Sequence, residues 1–205
     1  MEKFEILDIL EKTYPDAGPE LNFTNPYETL LATMLSAQCT DRQVNKVTPA
    51  LFAKWPSVEA MAQADADEVY PYVKSCGFSK KASNIVMACR QIMAEFDGQV
   101  PDNIDDLQKL PGVGRKTANV VYANAFGGDA IAVDTHVFRV SRRLGLADAN
   151  DVLGVEKQLM ACIPKDKWST AHHWLILHGR RICQARAPKC AVCPIGRGCP
   201  SFEET

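Results

Sequence analysis

The stretch LPGVGRKTANVV, Leu110 to Val121, interrupts an apolar pattern with one proline and two glycines and then resumes at once in helical spacing. The proline ends one helix, a glycine permits a tight turn with positive φ, and RKTANVVYANAF reads as the next helix. This is a helix-hairpin-helix, expected over about residues 105–126. Gly112 and Gly114 leave backbone N–H groups uncovered at the mouth of a helix N-terminus, which is a natural seat for a phosphate. Lys116 falls in the first turn of that helix. There the positive end of the helix dipole and the neighbouring Arg115 both disfavour a charged amine. A neutral lysine is a nucleophile able to form a Schiff base. Read by itself, Lys116 fits a phosphate contact or a plain surface charge as well.

Outward from the hairpin the periodicity is helical almost throughout. YETLLATMLSAQ, Tyr27 to Gln38, follows an Asn-Pro pair that suits a helix start, and KKASNIVMACRQIMAEF, Lys80 to Phe96, repeats apolar residues at three- and four-residue spacing. GGDAIAVD is the nearest strand candidate, and it is too short and isolated to build a sheet. Pro/Gly punctuation at PDAGPE, DGQVP, LPGVG and FGGD separates helices rather than domains. The chain is therefore expected to be all-α. A change of composition near Gly127-Gly128 divides a mostly neutral, apolar helical array from a basic segment that ends in cysteines.

With 205 residues, 46% hydrophobic and 23% charged, the chain has globular proportions and enough length to bury a core. No apolar run approaches the ~18 residues that would suggest a membrane span. The start, MEKFEILDILEKTYP, lacks the basic leader and apolar block of a secretory signal, so a cytoplasmic, nucleoid-associated protein is expected. In that compartment eight cysteines need an explanation other than disulfides. The net charge of -2 hides an asymmetry: Asp134 to Cys199 carries eleven Lys/Arg against five Asp/Glu, and the remainder carries twelve against twenty. Such a basic block can hold a polyanion locally, or it can be a salt-bridged surface with no partner.

Four cysteines, Cys183, Cys190, Cys193 and Cys199, have six, two and five residues between them. The others, Cys39, Cys76, Cys89 and Cys162, lie in helical patterns and read as small hydrophobes. Four thiolates this close repel one another and oxidise unless a cation holds them, so a metal is expected. Zinc and an iron-sulfur cluster both accept four thiolates. Only Cys190 and Cys193 form a two-residue knuckle, and the wider loops suit a larger cubane better than a zinc ribbon. The loop QARAPK between the first two ligands offers Arg186 and Lys189, either to phosphates or simply to balance an anionic cluster.

In AVDTHVFRVSRRLG, Asp134 follows a short apolar run and precedes a helical pattern. It reads as an N-cap, and equally as a carboxylate that stabilises a cationic sugar or activates an amine. His136, Arg139, Arg142 and Arg143 follow, the arginines being candidates for phosphate contacts.

The hairpin lysine, the VDTHV aspartate and the four-cysteine spacing, in this order, resemble the endonuclease III family of bifunctional DNA glycosylases in the helix-hairpin-helix superfamily; LLATMLSAQCTD also resembles that family's early helix and loop. The resemblance covers almost the whole chain. It implies a six-helix barrel domain over residues 20–128 and a second helical domain from residues 1–19 plus 129–205, flanking a DNA-binding cleft. It implies a [4Fe-4S] cluster in the loop 183–199 that is structural and positions DNA. By motif, Lys116 is the Schiff-base nucleophile and Asp134 the carboxylate that assists it. Gln38 fills the hole left by a flipped base, and Phe78, where the family often carries leucine, intercalates. Gly112, Gly114, His136, Arg139, Arg186 and Lys189 are the further DNA-binding residues. The activity implied is base-excision repair: removal of oxidised or damaged pyrimidines from double-stranded DNA, followed by AP lyase cleavage 3′ to the abasic site, by a monomer with no membrane association.

Two departures from the family pattern bear on DNA binding. A basic residue common in relatives is Ala187 here, and the tail SFEET is short and acidic. Both predict weaker or more salt-sensitive non-specific binding. Among other readings, an adenine-mismatch glycosylase would need a glutamate in the helix that reads LLATMLSAQCT, and there is none. A sister glycosylase acting on mismatched thymine or pyrimidine photodimers would share Lys116 and Asp134. A non-catalytic DNA-binding module would use the hairpin and cluster only for grip.

Overall fold

The computed structural model describes residues 1–202; Glu203, Glu204 and Thr205 of the SFEET tail lie outside the described residues. Eleven α-helices occur in it: α1 Lys3–Thr13, α2 Pro26–Leu35, α3 Asp41–Lys54, α4 Val58–Ala62, α5 Ala66–Val73, α6 Lys80–Glu95, α7 Ile104–Leu107, α8 Arg115–Phe126, α9 Thr135–Arg143, α10 Val152–Cys162 and α11 Trp168–Arg181. Short 3-10 turns join some of them, and no β-strand forms among the described residues. The apolar run Ala130–Val133, the nearest strand candidate, is buried without forming a strand, and the Ala132 carbonyl lies 2.7 Å from His172 Nδ1. No helix is long and apolar enough to cross a membrane among the described residues.

The helices gather into two compact units, one from Pro19 to Gly128 and one that joins Met1–Gly18 to the chain from Asp129 onward. In the first, α2 is apolar on all sides. Every residue from Tyr27 to Leu35 except Glu28 is buried, so α2 forms the axis of this unit. Its start is set locally, with Pro26 at the first position and the Asn25 side chain accepting from the Glu28 N–H at 2.9 Å. Helix α6 supplies Ala82, Ile85, Val86, Cys89 and Ile92 from one face, as its three- and four-residue spacing requires. Each such Leu or Ile withdrawn from water contributes ~1.5–3 kcal/mol.

The hairpin closes this unit. Helix α7 is a single turn capped by Asn103, and Leu110 and Val113 behind it are buried against the same core. Between them the Val113 N–H donates to Leu110 O at 3.1 Å across Pro111 and Gly112, and Gly112 has φ +78°. Proline second and a positive-φ glycine third are what a type II turn demands. A side chain at Gly112 is also excluded by space, because a Cβ there would stand 2.7 Å from the Asn84 amide nitrogen of α6.

In the second unit, Ile6, Leu7 and Leu10 of α1 pack with Val137 and Val140 of α9, Val155 and Leu159 of α10, and Ala171, Trp174 and Leu175 of α11. Cys76 and Cys89 are buried as small apolar residues, while Cys39 and Cys162 are half-buried. None of the eight cysteines is in a disulfide.

The turn makes the substitution Gly112→Ala a direct test. Left-handed backbone costs a residue with a Cβ ~1–2 kcal/mol, and the contact with Asn84 adds to that. The variant should melt several degrees below the parent by circular dichroism; an unchanged melting temperature would show that the turn does not need its glycine.

Candidate active site and metal centre

Helix α8 begins at Gly114, whose φ of -87° and ψ of 176° are ordinary and which has no side chain to cap the helix. Lys116 lies in the first turn and is exposed, whereas Thr117 and Ala118 behind it are buried. The hairpin thus anchors the helix by one face and leaves the amine in solvent. A Cβ placed on Gly114 would meet nothing within 4 Å, so the surface in front of this helix end is open.

Two more residues of the same unit stand out by conformation. Gln38, in the loop after α2, has φ 55°, a left-handed conformation uncommon outside glycine. The Cys39 N–H closes the turn around it on Ser36 O at 3.1 Å. Phe78 follows Gly77, which has φ 119°, and is 72% exposed at the tip of the turn before α6. A phenylalanine in water forgoes the burial energy an aromatic ring usually gains. Both residues came from the motif resemblance; their backbone angles could not be read from spacing.

In the other unit Asp134 caps α9, its Oδ1 accepting from the Val137 N–H at 2.7 Å. The side chain is half-buried, and the cap fixes the carboxylate's orientation. Two residues on, His136 Nδ1 lies 3.2 Å from Arg139 Nη2. The Arg139 guanidinium faces inward to the C-terminal end of α11: Nη2 donates to Gly179 O at 3.1 Å and Cys183 O at 3.1 Å, and Nε reaches Cys183 O at 3.3 Å. Arg143 treats the next residues in the same way, donating to Gln184 O at 2.7 Å and Ala185 O at 3.2 Å, with Nη1 3.7 Å from Cys183 Sγ. These arginines hold the start of the cysteine loop by its carbonyls. Arg142 lies over the Phe138 ring and donates to Asn150 Oδ1 at 2.9 Å. The sequence marked all three as basic and carried no sign of these carbonyl partners.

Cys183, Cys190, Cys193 and Cys199 line one cavity of about 30 Å³, walled by Leu144, Ile182, Pro188 and Phe202. The Cys199 thiol is pushed up, first by burial and then by the neighbouring cysteines. The donor set is soft, and its apolar walls suit a thiolate-bound group. Among the described residues no three His, Cys, Asp or Glu side chains converge closely enough to hold a single metal ion. His178, fully buried, connects the cavity to α1: Nδ1 lies 3.0 Å from the Tyr14 hydroxyl and Nε2 3.7 Å from Cys193 Sγ. Burial pushes His178 down to about 4, so the ring is neutral and can donate from one nitrogen and accept at the other. In the loop between the first two cysteines Arg186 and Lys189 are exposed, Ala187 takes φ 49°, and the Lys189 N–H closes back on Ile182 O at 3.0 Å.

Comparison with known proteins gives the family. The pattern of the HhH-GPD superfamily of base excision DNA repair proteins matches residues 31–165. The endonuclease III of Synechocystis sp. is 51% identical over 201 residues, which make up 97% of this chain and 92% of that protein. The solved structure of a non-covalent endonuclease III–DNA complex matches with a TM-score of 0.93 at 47% identity, over 98% of this chain and 97% of that one. The structure of a trapped endonuclease III–DNA covalent intermediate matches to the same extent, with a TM-score of 0.93 at 47% identity. An all-helical chain with the hairpin lysine, the capping aspartate and four cysteines around one cavity, alike over its whole length to these proteins, belongs to the HhH-GPD superfamily of base excision DNA repair proteins and, within it, to the endonuclease III family.

Proposed function

We propose that this enzyme removes damaged pyrimidines from duplex DNA and then cuts the strand 3′ to the abasic site, both steps using the amine of Lys116. The observation that carries the reading is the placement of that amine, exposed in the first turn of a helix with glycine at its N-cap. It is supported by a relative that has been trapped as a covalent DNA intermediate.

The chemistry follows from the residues. The sugar carbon under attack cannot be reached inside the stack, so the damaged nucleotide is flipped out. Gln38 fills the space it leaves, and Phe78 wedges between bases. Gly112 and Gly114 let the phosphate backbone approach the start of α8. Neutral Lys116 attacks C1′ while the bond to the base breaks, and the base departs with the bonding pair and takes up a proton. The surplus proton of the amine passes to Asp134, whose charge also stabilises the cationic sugar, and from there to O4′, which leaves C1′ with the bonding pair as the ring opens to an iminium. The iminium draws electrons from C2′. Loss of a C2′ proton forms the C2′=C3′ double bond and expels the 3′ phosphate, and hydrolysis of the imine frees the lysine.

The four cysteines of the cavity would hold a [4Fe-4S] cluster, which when bound supplies no step of the reaction and pins the loop between Cys183 and Cys190. Arg186 and Lys189 on that loop then meet DNA phosphates with little ordering cost. Arg139 serves the same contact from behind by holding the carbonyls of Gly179 and Cys183, with His136 beside its guanidinium.

Borohydride reduction on abasic-site DNA tests the central claim: the parent should form a covalent adduct, Lys116→Gln none. Asp134→Asn keeps a good N-cap, so its melting temperature should hold while base removal slows by ~10²-fold or more, the usual contribution of a positioned base. An adduct from Lys116→Gln would sink the mechanism.

The metal is read from colour. Protein purified without oxygen should be brown, with broad visible absorption that Cys190→Ser or Cys193→Ser abolishes; a colourless, zinc-containing protein would overturn the cluster assignment.

Gly114→Ala separates fold from binding. The added methyl group meets no protein atom within 4 Å, so stability should fall by no more than ~1 kcal/mol, the N-cap preference for glycine over alanine. Losing charge-assisted hydrogen bonds to a phosphate, worth ~1.5–3 kcal/mol, should weaken duplex binding tenfold or more. Unchanged affinity would remove the phosphate from this helix end.

A further inference from the structure

Lys81 lies in the first turn of α6 and its amine donates to three backbone carbonyls: Leu35 O at 2.8 Å, Ala37 O at 2.5 Å and Cys76 O at 2.5 Å. An ammonium has three N–H donors and no acceptor, so these three partners use all of it. No carboxylate pairs with it among the described residues. The carbonyls come from two segments far apart in sequence: the end of α2 with the loop after it, and the 3-10 turn Lys74–Cys76. The Leu35 and Cys76 carbonyls are at helix ends, where unpaired oxygens carry partial negative charge.

Which peptides are held matters more than how many. The Ala37 carbonyl belongs to the peptide that enters Gln38, the residue with φ 55°. The Cys76 carbonyl belongs to the peptide that enters Gly77, with φ 119°, immediately before Phe78. A peptide is a rigid plane, so fixing its oxygen fixes the direction in which the next residue leaves. Left-handed backbone at Gln38 is uphill and persists only where the surroundings over-determine it; the bond to Lys81 is such a determinant. Two weaker links join the same segments. Gln43 Nε2 donates to Ser75 Oγ at 2.8 Å, and the Cys39 and Cys76 thiols are near enough to perturb each other. Desolvation pulls the Lys81 pKa below the usual lysine value, so the charge is kept at a cost.

We propose that Lys81 is a positioning residue for nucleotide extrusion: its ammonium holds the Gln38 loop and the Phe78 turn at one spacing, so that both side chains enter the duplex as a single rigid edge. The proposal rests on the assignment of Gln38 and Phe78 to the DNA under Proposed function. Lys81 touches neither the sugar nor the base, and the Schiff-base chemistry of Lys116 does not need it once a nucleotide is already accessible.

The test compares two substrates. Extrusion is followed by 2-aminopurine fluorescence beside a lesion in duplex DNA, and covalent capture by borohydride on a single-stranded abasic oligonucleotide, where nothing has to be flipped. Lys81→Met should lower duplex extrusion at least tenfold while single-strand capture stays within twofold. Lys81→Arg keeps the charge but spreads its donors in a plane, and should recover part of the extrusion. Combining Lys81→Met with Gln38→Ala should cost little beyond Gln38→Ala alone, because both remove one action. An equal loss on the two substrates, or full extrusion in Lys81→Met, overturns the proposal. Should Lys81→Met not fold, Lys81→Gln, which lacks the charge and one donor, takes its place, and full parental extrusion in that variant does the same. Silent Gln38→Ala and Phe78→Ala variants would overturn the assignment of those residues to DNA and the proposal with it, whereas effects in those two with none in Lys81→Met overturn the proposal alone.

Discussion

The turn from Leu110 to Val113 is the constraint from which the amine-bearing helix takes its position. Its two ends are buried side chains of the core, its middle is proline followed by a glycine with φ +78°, and Asn84 fills the space where any Cβ would go. Because the turn is anchored on both sides, the start of α8 cannot drift, and an exposed lysine on a flexible stem acquires a fixed origin. A solvent-facing amine is thus obtained from packing that lies entirely behind it. The same packing leaves the space in front of Gly114 open.

A second theme occurs in both units. Lys81, Arg139 and Arg143 spend their donors on backbone carbonyls at helix ends and loops instead of on carboxylates. Carbonyl oxygens left over at helix C-termini need partners, and a cation satisfies several at once while complementing the helix dipole. An ion pair would tie two side chains together, whereas these contacts tie main chain to main chain and so control the course of a loop. The loops so held carry Gln38, Phe78, Arg186 and Lys189, the residues assigned to DNA. Positive charge here is divided between groups that fix loops and groups that face outward.

That division limited the reading from sequence. The all-helical class was legible because apolar spacing repeats over long segments such as α6, and the hairpin was legible because LPGVG combines proline and glycine in an order few other structures need. Lys116, Asp134 and the four cysteines were found from local motifs. Lys81 was only one of two lysines in CGFSKKA, and its three partners lie at residues 35, 37 and 76. Likewise Arg139, Arg142 and Arg143 read alike as candidates for phosphate, yet two bind the cysteine loop and one stacks on Phe138.

The sequence by itself therefore determined what depends on neighbours along the chain: helix periods, caps such as Asn25 and Asp134, the positive-φ turn at Gly112, and the close spacing of four cysteines. Only the tertiary structure decided which cations are spent on carbonyls, that Gln38 is held in left-handed backbone, and that His178 is buried neutral between Tyr14 and Cys193. The physical reason is one of range. Dihedral preferences and periodicity act over a few residues, whereas hydrogen-bond satisfaction and desolvation are settled by whichever groups the completed fold brings within about 3 Å.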